Sequence, residues 1–312
     1  MEEGQRGADD HLPKTMKYLI TLFFPFILFA QTDTLTFQIP GPAGRLETEV
    51  YKVKKPVHSL IVFLVGSNVG STRASYATFS KYFFEDLLEE GYAVAVFDKR
   101  GIGKSERNWT KANFRDRAAD AGAVGAYLKK ELGVQKAIVV GHSQGGWITQ
   151  VALAEYPEVF ERGISLAGPT FSVKEQIIND YTSKYFCAGL EDPRGKAEKK
   201  VRKILCMSRL MGWKGNFQQL RIIRKFEPSP YLKKINRPLL LMFGENDALV
   251  NPQTCVEQLS KIFPQGTPPV IQYHVVAQSN HSFRISPLCP KERTKEYAEE
   301  AKVKVKSWLS ER

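Results

Sequence analysis

Short apolar segments alternate with longer amphipathic ones along most of this chain. Residues 60–65, 93–97 and 137–140 are apolar throughout, a pattern typical of strands covered on both faces of a parallel sheet. Residues 76–90 and 117–132, which separate these strands, are predicted to be helices. The alternation predicts a doubly wound, mostly parallel α/β sheet.

The remaining elements extend the same sheet. Residues 34–40 and 46–53 alternate apolar and polar positions around Pro40-Gly41-Pro42, which predicts an antiparallel hairpin. Further strands are expected at residues 163–167, 239–243 and 270–276, and a closing helix at residues 292–309.

A long insertion follows the sixth predicted strand. Residues 169–237 are rich in helix formers, and the segment is far longer than a plain crossover needs. We therefore expect one core domain made of residues 31–168 and 238–312. Residues 169–237 would form a helical cap, called the lid below.

The lid also carries most of the excess positive charge. The whole chain of 312 residues has a net charge of +12, and residues 171–226 hold 13 Lys or Arg against 5 Asp or Glu. Its apolar residues would line an acyl pocket and its basic face would attract an anionic substrate or an anionic surface. A solvated basic exterior without a binding role is the alternative. The aromatic residues of this segment are Phe171, Tyr181, Tyr185, Phe186, Trp213, Phe217 and Phe226.

Candidate chemistry begins at residues 141–145, Gly-His-Ser-Gln-Gly, between a predicted strand and a predicted helix. This G-x-S-x-G pattern indicates a nucleophile elbow, where a sharp turn holds a serine at its apex. Glycines are needed because side chains there would collide with the neighbouring strand and helix. Ser143 is therefore the candidate nucleophile, and a purely structural tight turn is the alternative.

A serine hydroxyl needs a base to take its proton and a carboxylate to orient that base. Asp247 follows a buried strand, and His281 lies in the loop after the next strand. The order Ser143, Asp247, His281 is that of an α/β-hydrolase triad. Glu245 competes with Asp247 for the acid role.

The other histidines are weaker candidates for the base. His142 neighbours the nucleophile and is expected to pack or to orient the turn, while His274 lies within a strand, His58 before one and His11 in the leader. Only His281 occupies a loop after a late strand, although a solvated loop histidine remains the alternative.

Two backbone N–H groups should stabilise the negative oxygen of a tetrahedral intermediate. The amide of Gln144 follows the nucleophile directly. The amide of Ser67 lies in the glycine-rich loop 66–70, after the strand that ends at Val65. The alternative for this loop is a glycine-rich turn without a catalytic role.

Residues 16–30 resemble a secretory signal peptide: a lysine, about a dozen apolar residues interrupted by Pro25, and a small residue at Ala30. We expect translation to begin at Met16 and cleavage after Ala30, which gives an exported protein without a stable membrane span. An uncleaved anchor is the alternative. No cysteine follows the cut, which argues against a lipid anchor.

Export would permit disulfide bonds among the four cysteines. Four cysteines allow three pairings. We favour Cys187 with Cys206 and Cys255 with Cys289, because the members of each pair lie in the same region of the chain. Free buried thiols are an equal alternative.

The charge does not indicate nucleic-acid binding, because no nucleic-acid-binding or nucleotide-binding motif accompanies it. No zinc spacing is present either, so neither a metal nor an organic cofactor is expected.

The segments 98–105, 141–146 and 244–247, together with Asn280-His281, resemble the α/β-hydrolase superfamily. The similarity runs from about Val62 to the C-terminus and is strongest to capped serine hydrolases grouped with serine aminopeptidases and exported acyl esterases. It implies a serine hydrolase, with the loop at Asp98 as a rigid structural element. It does not specify the substrate.

We expect hydrolysis of carboxylic esters through an acyl-serine, without a cofactor. Aminopeptidase-like cleavage is the second choice, and it is disfavoured because the lid has few acids to hold an ammonium group. A binding protein on a hydrolase scaffold is the third possibility. It is disfavoured because such proteins typically lack a triad residue, and here all three are present. The expected partner is a small acyl ester or peptide. An anionic one fits only if the basic face of the lid attracts substrate, and a solvated face without a binding role is the alternative.

Overall fold

Eight strands form a single sheet in the computed structural model, which describes residues 32–67, 69–213, 215–292 and 294–311. The strands are β1 (Thr32–Pro40), β2 (Arg45–Val53), β3 (Ser59–Leu64), β4 (Tyr92–Phe97), β5 (Lys136–His142), β6 (Arg162–Leu166), β7 (Leu239–Gly244) and β8 (Ile271–Val276). Their order across the sheet is β1-β2-β4-β3-β5-β6-β7-β8. β1 and β2 form the expected antiparallel hairpin, β2 is antiparallel to β4, and the strands from β4 to β8 are parallel.

The helices alternate with the strands as predicted. They are α1 (Ala77–Glu89), α2 (Phe114–Leu132), α3 (Gln144–Glu155), α4 (Val173–Cys187), α5 (Pro193–Leu210), α6 (Gly215–Ile223), α7 (Ser229–Leu232), α8 (Pro252–Ile262) and α9 (Glu299–Ser310), with short 3₁₀ helices at Ala74–Tyr76 and Trp109–Lys111. α2 begins earlier than predicted because Asn113 and Asp116 form a reciprocal capping box at its start.

The centre of the sheet is buried on both faces. Every residue of β3, β4 and β7 is buried, which explains why these strands are apolar without alternation. Because β3, β5, β7 and β8 run in parallel, their carboxyl ends lie at the same edge of the sheet. The segments that directly follow these four strands carry all five candidate site residues: Ser67, Ser143, Gln144, Asp247 and His281.

Four helices, α4 to α7, lie between β6 and β7 within the predicted lid. The aromatic residues of the lid lie in different surroundings, and an acyl pocket lined by them stays a prediction. Phe171 and Phe226 pack in or against the main core, and Tyr181 and Tyr185 pack against the small cluster between α4 and α5. Phe186 is exposed.

The closing helix begins later than the predicted residue 292, because the chain before α9 is held in other contacts. A β-bridge pairs Arg284 with Tyr297, and Ala298 N–H donates to the carbonyl of Phe283. These contacts hold Tyr297 and Ala298 against Phe283 and Arg284 just before α9 begins.

The favoured disulfide pairing is wrong. Cys187 is bonded to Cys289, while Cys206 is exposed and free and Cys255 is buried and free. Cys187 ends α4, whereas Cys206 lies 13 residues into the antiparallel helix α5, roughly 20 Å along its axis. Proximity in the sequence was therefore a misleading guide to the pairing. Cys255 stays a thiol, and burial raises its pKa to about 12.

The Cys187–Cys289 bond joins the end of α4 to the segment after His281, across a sequence separation of 102 residues. Closing so long a loop restricts the unfolded chain strongly. We expect Cys187→Ser/Cys289→Ser to lower the free energy of unfolding by about 2–4 kcal/mol, measured by denaturant titration. Cys206→Ser is the control, with an expected change within about 0.5 kcal/mol. Equal stability of the double variant and the control would refute the bond.

None of the helices in the described residues is long and apolar enough to cross a membrane. The predicted leader and the cleavage position after Ala30 lie outside the described residues, so both stay predictions.

Candidate active site

The turn at Ser143 has the strained geometry expected of an elbow. β5 ends at His142, Ser143 has φ 58° and ψ −119°, and α3 starts at the next residue. A methyl group on Gly145 would lie 2.2 Å from the carbonyl oxygen of Leu64, so only glycine allows the helix to approach β3 this closely. The structure begins α3 at Gln144, which gives Gln144 the first N–H of the helix.

Asp247 and His281 contact each other directly. His281 Nδ1 lies 2.7 Å from Asp247 Oδ2, and the other carboxylate oxygen accepts N–H groups of Leu249 and Val250 at 2.8 and 2.9 Å. The Asp247 side chain is fully buried. Burial disfavours a charged His281, but the negative charge of Asp247 and its hydrogen bond outweigh burial, so the pKa of His281 is raised.

His142 connects the elbow to the histidine loop. Its Nε2 lies 2.8 Å from the carbonyl oxygen of His281, and its Nδ1 lies 2.8 Å from the hydroxyl of Tyr76. Because a carbonyl can only accept, Nε2 carries the hydrogen and Nδ1 accepts from Tyr76. Burial, then the charge of His281, lowers the pKa of His142 to about 3. His142 is therefore neutral, and its hydrogen bond holds the backbone of His281 close to the turn at Ser143.

The loop after β3 lies against the elbow. A methyl group on Gly66 would lie 3.5 Å from Cβ of Ser143. The N–H of Gly66 donates to Tyr76 Oη at 3.2 Å, so one chain of hydrogen bonds runs from this loop through Tyr76 and His142 to His281. Sequence reasoning missed Tyr76, which carries no motif.

Two buried basic side chains hold the carbonyl groups of this loop. Arg117 donates to the carbonyl of Val65 and to the side chain of Gln144, and Lys99 donates to the carbonyl of Gly66 at 3.1 Å. Burial, then the charge of Arg117, lowers the pKa of Lys99 to about 6, and burial lowers that of Arg117 to about 10. Arg117 is thus charged at neutral pH, and it links the two segments that carry the candidate oxyanion donors.

The direction of these carbonyls also orients the amide of Ser67. The carbonyl of Gly66 and the N–H of Ser67 share one trans peptide plane and point in opposite directions. Since the carbonyl faces Lys99, the Ser67 N–H points away from Lys99. Its assignment as an oxyanion donor stays a prediction.

The loop at Asp98 is a rigid structural element of the kind expected. Asp98 accepts from the backbone N–H and from Nε of Arg73, both at 2.8 Å, and its carbonyl accepts from Ser105 Oγ at 2.7 Å. Arg73 also pairs with Glu47 and Glu49. The network ties the loop to β2.

The structure separates the candidate residues from their competitors. Glu245 accepts from the N–H of Gln278 at 2.7 Å, whereas Asp247 contacts His281. His58 and His274 have partners elsewhere, the carbonyl of Glu90 and the carboxylate of Glu300, and His11 lies outside the described residues. Among the contacts described for Ser143, no hydrogen bond to His281 occurs; such bonds commonly tighten only when substrate binds.

Among the described residues, no group of three or more His, Cys, Asp and Glu side chains is arranged to hold a metal ion.

Comparison with known proteins gives matches in both sequence and structure. Residues 62–192 match the family model described as serine aminopeptidase, S33. A bifunctional esterase/perhydrolase from Acinetobacter calcoaceticus is 28% identical over 190 residues, 53% of this chain and 67% of that protein. The esterase Pf2001 of Pyrococcus furiosus superposes with a TM-score of 0.62 at 20% identity, covering 90% of this chain and 91% of that one. Est1E from Butyrivibrio proteoclasticus superposes with a TM-score of 0.59 at 19% identity, covering 86% and 95% of the two chains.

The chain has the α/β-hydrolase fold. The strand order, the elbow after β5 and the family match agree with the resemblance noted in the sequence. The matched family segment contains Ser143 but ends before Asp247 and His281. The connection of Asp247 and His281 to the elbow therefore comes from the structure and not from the family match.

Proposed function

We propose that this α/β-hydrolase is an exported serine esterase that cleaves carboxylic esters through an acyl-serine intermediate. The observation that carries the proposal is the 2.7 Å contact between Asp247 and His281, in a loop bound through His142 to the strained turn at Ser143. The esterase names of the relative from Acinetobacter and of Pf2001 support the choice of ester chemistry.

In the proposed reaction, Ser143 Oγ attacks the ester carbonyl carbon while His281 Nε2 takes the hydroxyl proton. Asp247 holds Nδ1–H of His281, which fixes the tautomer and stabilises the imidazolium. The tetrahedral intermediate then collapses, the C–O bond to the alcohol breaks, and His281 returns the proton to the leaving alkoxide. Water, deprotonated by His281, attacks the acyl-serine and releases the carboxylic acid.

The negative oxygen of each intermediate would be held by the amides of Gln144 and Ser67. The Gln144 amide is at the N-terminus of α3, where N–H groups lack partners within the helix and the helix dipole favours negative charge. Arg117 links the side chain of Gln144 to the carbonyl of Val65. It is therefore proposed to fix the positions of the Gln144 and Ser67 amides relative to each other.

Export is supported by the disulfide between Cys187 and Cys289, because such bonds persist mainly in oxidising compartments. It agrees with the signal-like residues 16–30. Mass spectrometry of the protein recovered from its host tests this part, with a mature N-terminus at Gln31 expected; a mature N-terminus upstream of Gln31 would contradict the cleavage.

Aminopeptidase activity is the second candidate, because the matched family model carries that description. A free amino terminus would need a carboxylate close to the site. The lid residue Asp180 is near enough to His281 for its charge to raise that pKa. However, Asp180 pairs with Lys184 at 2.8 Å, which offsets its charge and favours a neutral ester.

A substrate panel distinguishes these two activities. We expect kcat/KM for nitrophenyl esters of short and medium acids to exceed that for aminoacyl nitroanilides. In Asp180→Asn, neutral-ester hydrolysis should persist. Preferred hydrolysis of the anilides, lost in Asp180→Asn but kept in the control Asp192→Asn, would replace the esterase assignment by a peptidase.

A further inference from the structure

The outer face of α5 is strongly basic. Its buried positions, Ala197, Val201 and Ser208, lie on one side of the helix. Lys196, Lys199 and Lys203 are exposed on the opposite side, as spacings of three, four and seven residues require. Residues 186–213 contain seven Lys or Arg and three Asp or Glu in all.

The charge on this face is available for an external partner. Arg194, on the flank of the helix, pairs with Glu175 and Glu198. Within the described residues, Lys196, Lys199 and Lys203 have no ion-pair partner within 4.0 Å, since none of the ion pairs there includes them. Three exposed lysines on one face, without ion-pair partners in the described part of the chain, are free to meet an anionic surface.

Large apolar side chains are exposed at both ends of the same helix. Phe186 lies in the last turn of α4, shortly before α5 begins, and is 59% exposed. Leu210 ends α5, Trp213 follows it, and both side chains are 66% exposed. Met207, near that end, is 43% exposed. Isolated exposed apolar residues are ordinary, but a group flanking a row of lysines is the composition of an interfacial helix.

We propose that this lid face, meaning Phe186, Lys196, Lys199, Lys203, Leu210 and Trp213, binds the surface of an anionic lipid bilayer. α5, about 27 Å long, would lie in the membrane plane. The lysines would contact anionic head groups, and the aromatic and aliphatic residues at its two ends would enter the acyl boundary. A nucleic acid would pair with the lysines but would leave Leu210 and Met207 in water. An anionic bilayer can bind both the lysines and the exposed apolar side chains.

The inference does not depend on the proposed esterase activity. Its test is sedimentation of the full chain with vesicles of phosphatidylcholine alone and with vesicles of equal parts phosphatidylcholine and phosphatidylglycerol. Because every variant keeps the same N-terminal segment, differences in binding come from the substituted face. We expect binding to the anionic vesicles only, weakened by added salt.

Two variants of the lid face are compared with one matched control. Lys196→Gln/Lys199→Gln/Lys203→Gln is expected to lower vesicle affinity roughly 100-fold, about fivefold for each lysine near the surface. Leu210→Ser/Trp213→Ser should also weaken binding. The control, Lys54→Gln/Lys136→Gln/Lys261→Gln, removes the same charge from exposed positions outside the lid and should bind like the unmodified chain.

Equal loss in the lysine variant and the control would show general charge attraction and would overturn the proposal, as would no binding to anionic vesicles. A dimer in gel filtration that dissociates in Leu210→Ser/Trp213→Ser, without vesicle binding, would assign the face to a second copy instead. Turnover of a soluble short-chain ester, measured for every variant, separates the two hypotheses: an inactive protein that binds anionic vesicles refutes only the esterase.

Discussion

Ser143→Ala is expected to lower kcat/KM for a nitrophenyl ester by about 10⁴- to 10⁶-fold, because no other group can form the acyl intermediate. The residual rate would come from the oxyanion donors and from substrate binding, which remain in place. Alanine keeps the small side chain that the turn at φ 58° requires, so the fold should be retained. Initial rates of wild type and variant give kcat/KM, and circular dichroism checks that the variant is folded.

Covalent labelling gives an independent reading of the same residue. A fluorophosphonate probe should modify wild type at Ser143 and should leave Ser143→Ala unlabelled, as identified by peptide mass spectrometry. Ser165→Ala is the matched control, since Ser165 lies in β6 and is buried; its labelling should persist. Wild type that takes up no label would favour a binding protein on the hydrolase scaffold.

Asp247→Asn should lower kcat about 10⁴-fold, because an amide cannot hold His281 in the required tautomer with a compensating charge. The pH profile should change as well. Activity as a base requires neutral His281, so kcat/KM falls as the pH drops through the pKa of His281. The charge of Asp247 raises that pKa, and without it burial disfavours the imidazolium. The acid limb of the profile is therefore expected to move to lower pH in Asp247→Asn.

Glu245→Gln is the control for this result. Glu245 lies in the same loop but contacts the N–H of Gln278 rather than His281. We expect its kcat within a few-fold of wild type and its acid limb unmoved. If Glu245→Gln shifted the acid limb and Asp247→Asn did not, the acid role would pass to Glu245.

The site could be predicted to different depths from the sequence. Ser143, Asp247 and His281 could be named as candidates because each occupies a position where strand patterning and local motif coincide. The aromatic residues of the lid were harder to place: Tyr181 and Phe186 lie five residues apart, yet one packs against α5 and the other faces solvent. Composition could not distinguish them, because the outcome depends on how α4 meets α5.

Local patterns were enough to predict the sheet, the sharp turn at residues 141–145 and the chain order of the candidate triad, because hydrophobic periodicity and glycine requirements depend on neighbouring residues. Three-dimensional packing was needed to establish the Cys187–Cys289 pairing, the contact of Asp247 rather than Glu245 with His281, and the links through Tyr76, His142 and Arg117. These contacts join residues that are far apart in the chain, and the packing of strands and helices determines which distant side chains meet.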